Sequence, residues 1–272
     1  MNFRKCLVAL AVLVAVFALG GAGIAAASHS WGSYHWARTS NSFTIKVVDS
    51  VTSSWGTPLS TAVLDWSASS VLNAVNEAGS DSWTARFNCT MPKGKIRACN
   101  YSYGNTGWLG IAQIVVNSTN HITKGRVAVN DTYFNLSTYN NPNERLHVMC
   151  QEIGHALGLD HQSEDGSSLN TCMDYFSNTG ANALSTLSTH PNQHDYDQLV
   201  TIYTHLDDTN TVLSSTSGGS RGKSVGVGQD IDPANQSAWG RAVRQDARGN
   251  NSLYERNLGN GEKLVTFITW AE

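Results

Sequence analysis

The chain has 272 residues, with 18 Lys and Arg against 21 Asp and Glu and a formal net charge of −3. That balance leaves no basic footprint for a nucleic acid. The 8 Trp and 9 Tyr supply enough apolar bulk to exclude a disordered chain, and the length suits one sizeable domain with an appendage.

Arg4 and Lys5 precede an apolar run over residues 6–27 that closes on Ala25-Ala26-Ala27. This is the pattern of a secretory signal peptide, residues 1–27, and it predicts a secreted, extracellular protein without stable membrane association after cleavage. An uncleaved anchor is the competing reading, which Gly20, Gly21 and Gly23 weaken. Removal of the signal takes Cys6 with it and leaves four cysteines in an oxidising compartment. Of the three pairings they allow, we favour Cys89–Cys99, closing a turn that holds Pro92 and Gly94, and Cys150–Cys172.

Residues 42–51 alternate well enough for a strand. Thr57-Pro58 reads as a helix start, with Ala62, Leu64, Trp66, Val71, Leu72 and Val75 as its apolar stripe. Residues 82–90 and 95–102 read as two strands joined by the turn at 91–94, and residues 111–116 and 127–130 are β-rich. Asn141-Pro142 opens a helix that runs into Gln151-Glu152-Ile153-Gly154-His155-Ala156-Leu157-Gly158-Leu159-Asp160-His161. Farther on stand Met173-Asp174-Tyr175, a polar loop with His190 and His194, and a helix over residues 195–205. Residues 207–235 are rich in Ser, Gly, Thr and Asp and read as a linker or an extended strap. Residues 236–272 read as a small antiparallel β appendage with a turn at Gly259-Asn260-Gly261. In it Trp239 and Trp270 are candidate carbohydrate or substrate contacts.

The stretch from residue 146 to 175 carries the chemistry. On a helix, Gln151 and His155 lie four apart on one face, close enough to grip one metal ion. Glu152 sits beside that face, placed as a general base. Gly158 permits the left-handed turn that ends a helix and brings His161 back as a third ligand. His147 shares the face, but eight residues of helix span about 12 Å, too far for it to share an ion with His155.

This stretch resembles the long motif of the metzincin zinc metallopeptidases, the matrixin and astacin-like enzymes. Glu152, His155, Gly158, His161 and Met173 match it, and Gln151 stands where the first ligand histidine would be. The resemblance implies an α+β metzincin-like catalytic domain over residues 28–206: a twisted mixed sheet, a backing helix, an active-site helix, a Met turn and a C-terminal helix. It implies Zn²⁺ held by Gln151, His155 and His161, and a monomer acting on a protein or peptide substrate. It implies an endopeptidase in which Glu152 draws the proton from a metal-activated water. Met173-Asp174-Tyr175 is similar to the Met turn of the astacin and serralysin branches, so Tyr175 is a further catalytic candidate. Residues 108–116 would be the open sheet edge that pairs with substrate. The alternative is a secreted pseudo-peptidase whose Gln151 has weakened or lost the zinc site and which binds or scaffolds another molecule.

Overall fold

The computed structural model describes residues 28–213 and 231–271. The expected signal peptide and residues 214–230 of the expected linker lie outside the described residues. Strand β1 (His35–Trp36) leads to β2 (Phe43–Ser50), helix α1 (Ser53–Trp66), β3 (Leu72–Ala78), helix α2 (Trp83–Asn88) and β4 (Ile96–Tyr101). There follow β5 (Trp108–Val116), β6 (His121–Asn130), the short α3 (Asp131–Phe134), α4 (Pro142–Ala156) and α5 (Gln193–Ile202). Three strands end the chain: β7 (Arg241–Gln245), β8 (Asn251–Gly259) and β9 (Glu262–Trp270).

The nine strands among the described residues form one mixed sheet in the order β3-β2-β4-β6-β5-β9-β8-β7, with β1 pairing parallel to β6. From β3 to β6 the neighbours run parallel; from β6 through β5, β9 and β8 to β7 they run antiparallel. Helices α1 and α4 pack together. Their shared core includes Trp55, Leu59, Trp66, Val148 and Ile153, all essentially removed from water. Two of the buried indoles fasten this layer: Trp66 donates to the Cys150 carbonyl at 3.0 Å and Trp36 to the Ala156 carbonyl at 2.9 Å. Both favoured disulfides are present, Cys89–Cys99 and Cys150–Cys172. The second ties α4 to the segment that holds Met173.

Several local expectations give way to tertiary structure. Helix α1 starts at Ser53 rather than at Thr57-Pro58, and Pro58 sits inside it. Burial of Trp55, whose indole donates to Asp131 at 2.8 Å, holds the extra first turn against the hydrogen bond that Pro58 cannot make. Leu72 and Val75 leave the expected helical stripe for β3, where the buried positions alternate. Residues 83–88 are helical, not extended: the Ser82 hydroxyl caps the Ala85 amide, and Cys89 turns out through a φ of 41° to reach Cys99. The last three strands are not an appendage. β9 pairs with β5 along its length, from Trp108↔Trp270 to Val116↔Lys263. The expected open edge is therefore an interior strand in which every residue is buried. Trp239 is fully buried, with its indole on the Pro233 carbonyl, and offers no surface to a sugar.

Candidate metal centre

Helix α4 begins where the Asn141 side chain accepts from the Glu144 amide at 2.9 Å, and its last two turns carry Gln151, Glu152 and His155. It stops at Ala156. Gly158 then adopts a φ of 106°, and a side chain there would run into the Tyr34 carbonyl. The turn brings His161 back so that its Nε2 lies 2.9 Å from Nε2 of His155, the rings at 88°. Beneath the helix, the Met173 sulfur lies where a Cβ on Gly154 would be, so only glycine fits at that position.

Each imidazole is oriented through its other nitrogen. His155 Nδ1 donates to the Leu159 carbonyl at 2.8 Å and His161 Nδ1 to the Glu164 carboxylate at 3.0 Å. With each Nδ1 so engaged, the two Nε2 atoms face each other at 2.9 Å, a gap that holds either one N–H or one cation. Burial pushes His155 well below the usual imidazole range, so its own ring stays neutral and offers Nε2 as a lone pair. A tetrahedral zinc at 2.0–2.1 Å from nitrogen would separate two ligand atoms by roughly 3.3 Å, close to the observed spacing. The two histidines therefore fit the ion.

Gln151 is engaged on both sides of its amide. Nε2 donates to the Asp174 carbonyl at 2.8 Å, and Oε1 lies 2.5 Å from the Thr269 hydroxyl. The same hydroxyl is 2.6 Å from Glu152 Oε1. Desolvation raises the fully buried Glu152 carboxyl to about 8, against a lowering by the Thr269 hydrogen bond. One hydroxyl proton cannot serve two acceptors. A protonated Glu152 resolves the shortage by donating to Thr269, which then donates to Gln151. Tyr175 packs its ring 4.3 Å from that of His161 and donates its hydroxyl to the Ile268 carbonyl at 3.0 Å. His147, also buried, donates to the same Asp174 carbonyl as Gln151, at 3.0 Å. His190 pairs with Asp65 at 2.7 Å and His194 stacks on His29, both away from this cluster.

The groups that close the site come from far along the chain. Phe267 of β9 stacks on the His155 ring at 5.0 Å and 13°, and Trp31 lies 4.2 Å from Phe267. Arg244 of β7 stands over Trp31 and pairs with Asp160 at 2.6 Å and with Glu164. The void lined by His147, Tyr175, Thr269 and Trp270 measures about 10 Å³, room for a single water. No motif near residues 151–175 announces Phe267, Thr269 or Arg244; their one signal in the sequence is the β pattern of the last forty or so residues.

No family model matches the chain, and no curated protein matches it. Among solved structures, high choriolytic enzyme 1, a hatching enzyme zinc-protease from Oryzias latipes (medaka fish), aligns with a TM-score of 0.36 and 12% identity. The alignment covers 64% of this chain and 96% of that one. A likeness at that score carries no functional weight. Among the described residues no helix is long and apolar enough to cross a membrane.

Proposed function

We propose that the chain is a secreted, zinc-dependent endopeptidase, a monomer acting on protein or peptide substrates, and that its own strand β9 holds it in a closed form. The observation that carries this reading is the pair of Nε2 atoms 2.9 Å apart on His155 and His161, each ring held through Nδ1. Two buried imidazoles so oriented are the donor pair a zinc ion takes. Zinc, when bound, would supply a Lewis acid to a scissile carbonyl.

The remaining steps belong to the chain's own residues. Glu152 would take a proton from the attacking water and return it to the leaving amine, which requires its ionised form. The pKa of about 8 in the closed form keeps it protonated at neutral pH. Withdrawal of Thr269 and readmission of solvent would remove the desolvation behind that value. Tyr175 would release the Ile268 carbonyl and offer its hydroxyl to a developing oxyanion. The β9–β5 ladder supports a specific picture of closure: a strand of this chain lies where an extended peptide would pair with β5.

A second reading, a pseudo-peptidase that binds rather than cuts, draws on the engagement of both ends of the Gln151 amide by Asp174 and Thr269. One comparison separates the two. Full-length protein purified without added zinc is assayed for metal and for casein cleavage with and without a chelator, beside Glu152→Ala. Zinc retained by Glu152→Ala with cleavage abolished supports the peptidase. A chain that carries no metal at His155 and His161 and cleaves nothing supports the pseudo-enzyme.

A further inference from the structure

We propose a second metal site, formed by His35, His121 and Asp207 and completed by the exposed ring of His205, which takes a divalent zinc ion and fastens the N-terminal segment to the end of α5. Three imidazole nitrogens converge on one carboxylate oxygen. Nε2 of His35, His121 and His205 lie 3.2, 3.3 and 3.4 Å from Asp207 Oδ1. Ligand atoms around a zinc ion at 2.0–2.1 Å would lie roughly 3.3 Å from one another; the spacings to Asp207 Oδ1 match that, and the ligand atoms of His35, His121 and Asp207 all lie within 4.8 Å of one another, with His205 on the outer side able to turn in as the fourth.

The hydrogen bonds behind the ligands point the same way. His35 Nδ1 donates to the Ser33 carbonyl at 2.7 Å. His121 Nδ1 meets the Thr119 hydroxyl at 3.0 Å, and that hydroxyl already donates to Asn117 at 2.8 Å, so it accepts from the ring. Both rings therefore carry a proton on Nδ1 and turn Nε2 toward the one carboxylate oxygen, the arrangement of imidazoles oriented behind a metal. A single oxygen faced by three Nε2 atoms is held either by their own protons or by one ion between them. Asp207 is oriented too: its Oδ2 accepts the Arg38 amide at 2.9 Å, which leaves Oδ1 for the ion. The rings cross edge-to-face, His35 with His121 at 74° and with His205 at 80°, as converging ligands do. Asp207 and His35 are each only 6% exposed in their side chains, and His205, at 58%, forms the outer side.

The ligands come from three remote parts of the chain. His35 is on β1, His121 opens β6 in register with it, and His205 and Asp207 follow α5. None belongs to the cluster around His155. Three nitrogens and one oxygen, with imidazole dominant, suit zinc over the hard cations. The segment so fastened carries Trp31, which covers His155 and Phe267.

The test uses the full chain with His155→Ala and His161→Ala combined, so that the candidate catalytic site cannot contribute. Metal is counted by mass spectrometry after dialysis against zinc and then buffer, and Co²⁺ substituted for zinc is read by its visible absorption. The expected result is one metal per chain with a tetrahedral Co²⁺ spectrum, lost on adding His35→Ala or Asp207→Asn and weakened at least tenfold by His205→Gln at the exposed ligand. Circular dichroism checks that each variant is folded, and His205→Gln, the mildest change, keeps the test decisive if the others unfold. No metal in the double variant, or metal indifferent to His205→Gln, overturns the proposal. Because the His155 site is removed at the start, these outcomes do not depend on whether the chain is a peptidase.

Discussion

Replacing Phe267 by alanine tests whether β9 is a closing strand over a working site. Leu264, Val265, Phe267 and Ile268 of β9 are all fully buried. At about 1.5–3 kcal/mol for each buried side chain, the four hold β9 in place by roughly 6–12 kcal/mol, an upper bound. Each 1.4 kcal/mol is tenfold, so even the low end of that range, about 6 kcal/mol, keeps the open form of the unaltered chain to about one molecule in 10⁴. Phe267 packs flat on His155 and against Trp31, and its truncation should cost about 3–5 kcal/mol. If Phe267 is exposed in the open form, that loss falls on the closed form alone. Casein cleavage should then rise by roughly 10²-fold or more over the unaltered chain. The assay is initial-rate cleavage of a labelled casein by zinc-loaded protein, with Phe267→Ala/Glu152→Ala as the control that assigns any gain to this site. A folded, zinc-loaded Phe267→Ala chain that cleaves no faster than the parent refutes the closing role of β9.

Gln151→His should tighten zinc binding at the His155 site in a competition titration; an unchanged affinity would remove residue 151 from the coordination shell. Thr269→Val deletes the hydroxyl shared by Gln151 and Glu152 and should lower stability by about 1–3 kcal/mol, read as a fall in Tm; no fall would deny that hydroxyl a structural part. Burial pushes the His147 pKa down to about 4 from the ordinary 6.5, so between those values the unfolded chain binds more protons than the folded one. Stability from the neutral ring is complete above 6.5 and is lost as pH falls toward 4; His147→Gln should flatten that limb of a Tm-against-pH curve, and an equal slope would reject the assignment.

The sequence announces the local parts of the candidate site well because its ligand spacing is set by one helix and one turn. Gln151, Glu152 and His155 follow from helical periodicity, and His161 follows from the glycine that lets the chain reverse. Both disulfides were legible from an even count of cysteines and from which pairings would brace a turn. What fails is whatever depends on remote partners. Residues 83–88 look extended by composition, yet a serine cap and a disulfide at the far end make them helical. Leu72 and Val75 fit a helical stripe until β2 offers them a parallel neighbour. The last strands look like a separate piece because nothing in residues 236–272 says that β5 has a free edge for them. The His35 cluster is invisible for the same reason: its ligands are 86 and 84 residues apart along the chain, and only the β1–β6 register and the end of α5 bring them together.

Gln151 links closure to metal binding. Its amide has both a donor and an acceptor, and the closed form uses both: Nε2 on the Asp174 carbonyl, Oε1 on the hydroxyl of Thr269. On the proposed function, an oxygen pinned by Thr269 has one lone pair spent and its direction fixed, whereas the same oxygen, once β9 withdraws, would be free to turn toward His155 and His161 as a third donor. The closed form would then offer two strong ligands and the open form three. An ion that prefers the open form must pull the equilibrium toward it, and any change that opens the chain must tighten the ion by the same factor. Phe267→Ala should accordingly bind zinc more tightly at this site than the parent chain does, in a background where the His35 cluster has been removed by Asp207→Asn. Equal affinities would mean that Gln151 does not change partners when β9 moves, and closure and coordination would then be independent.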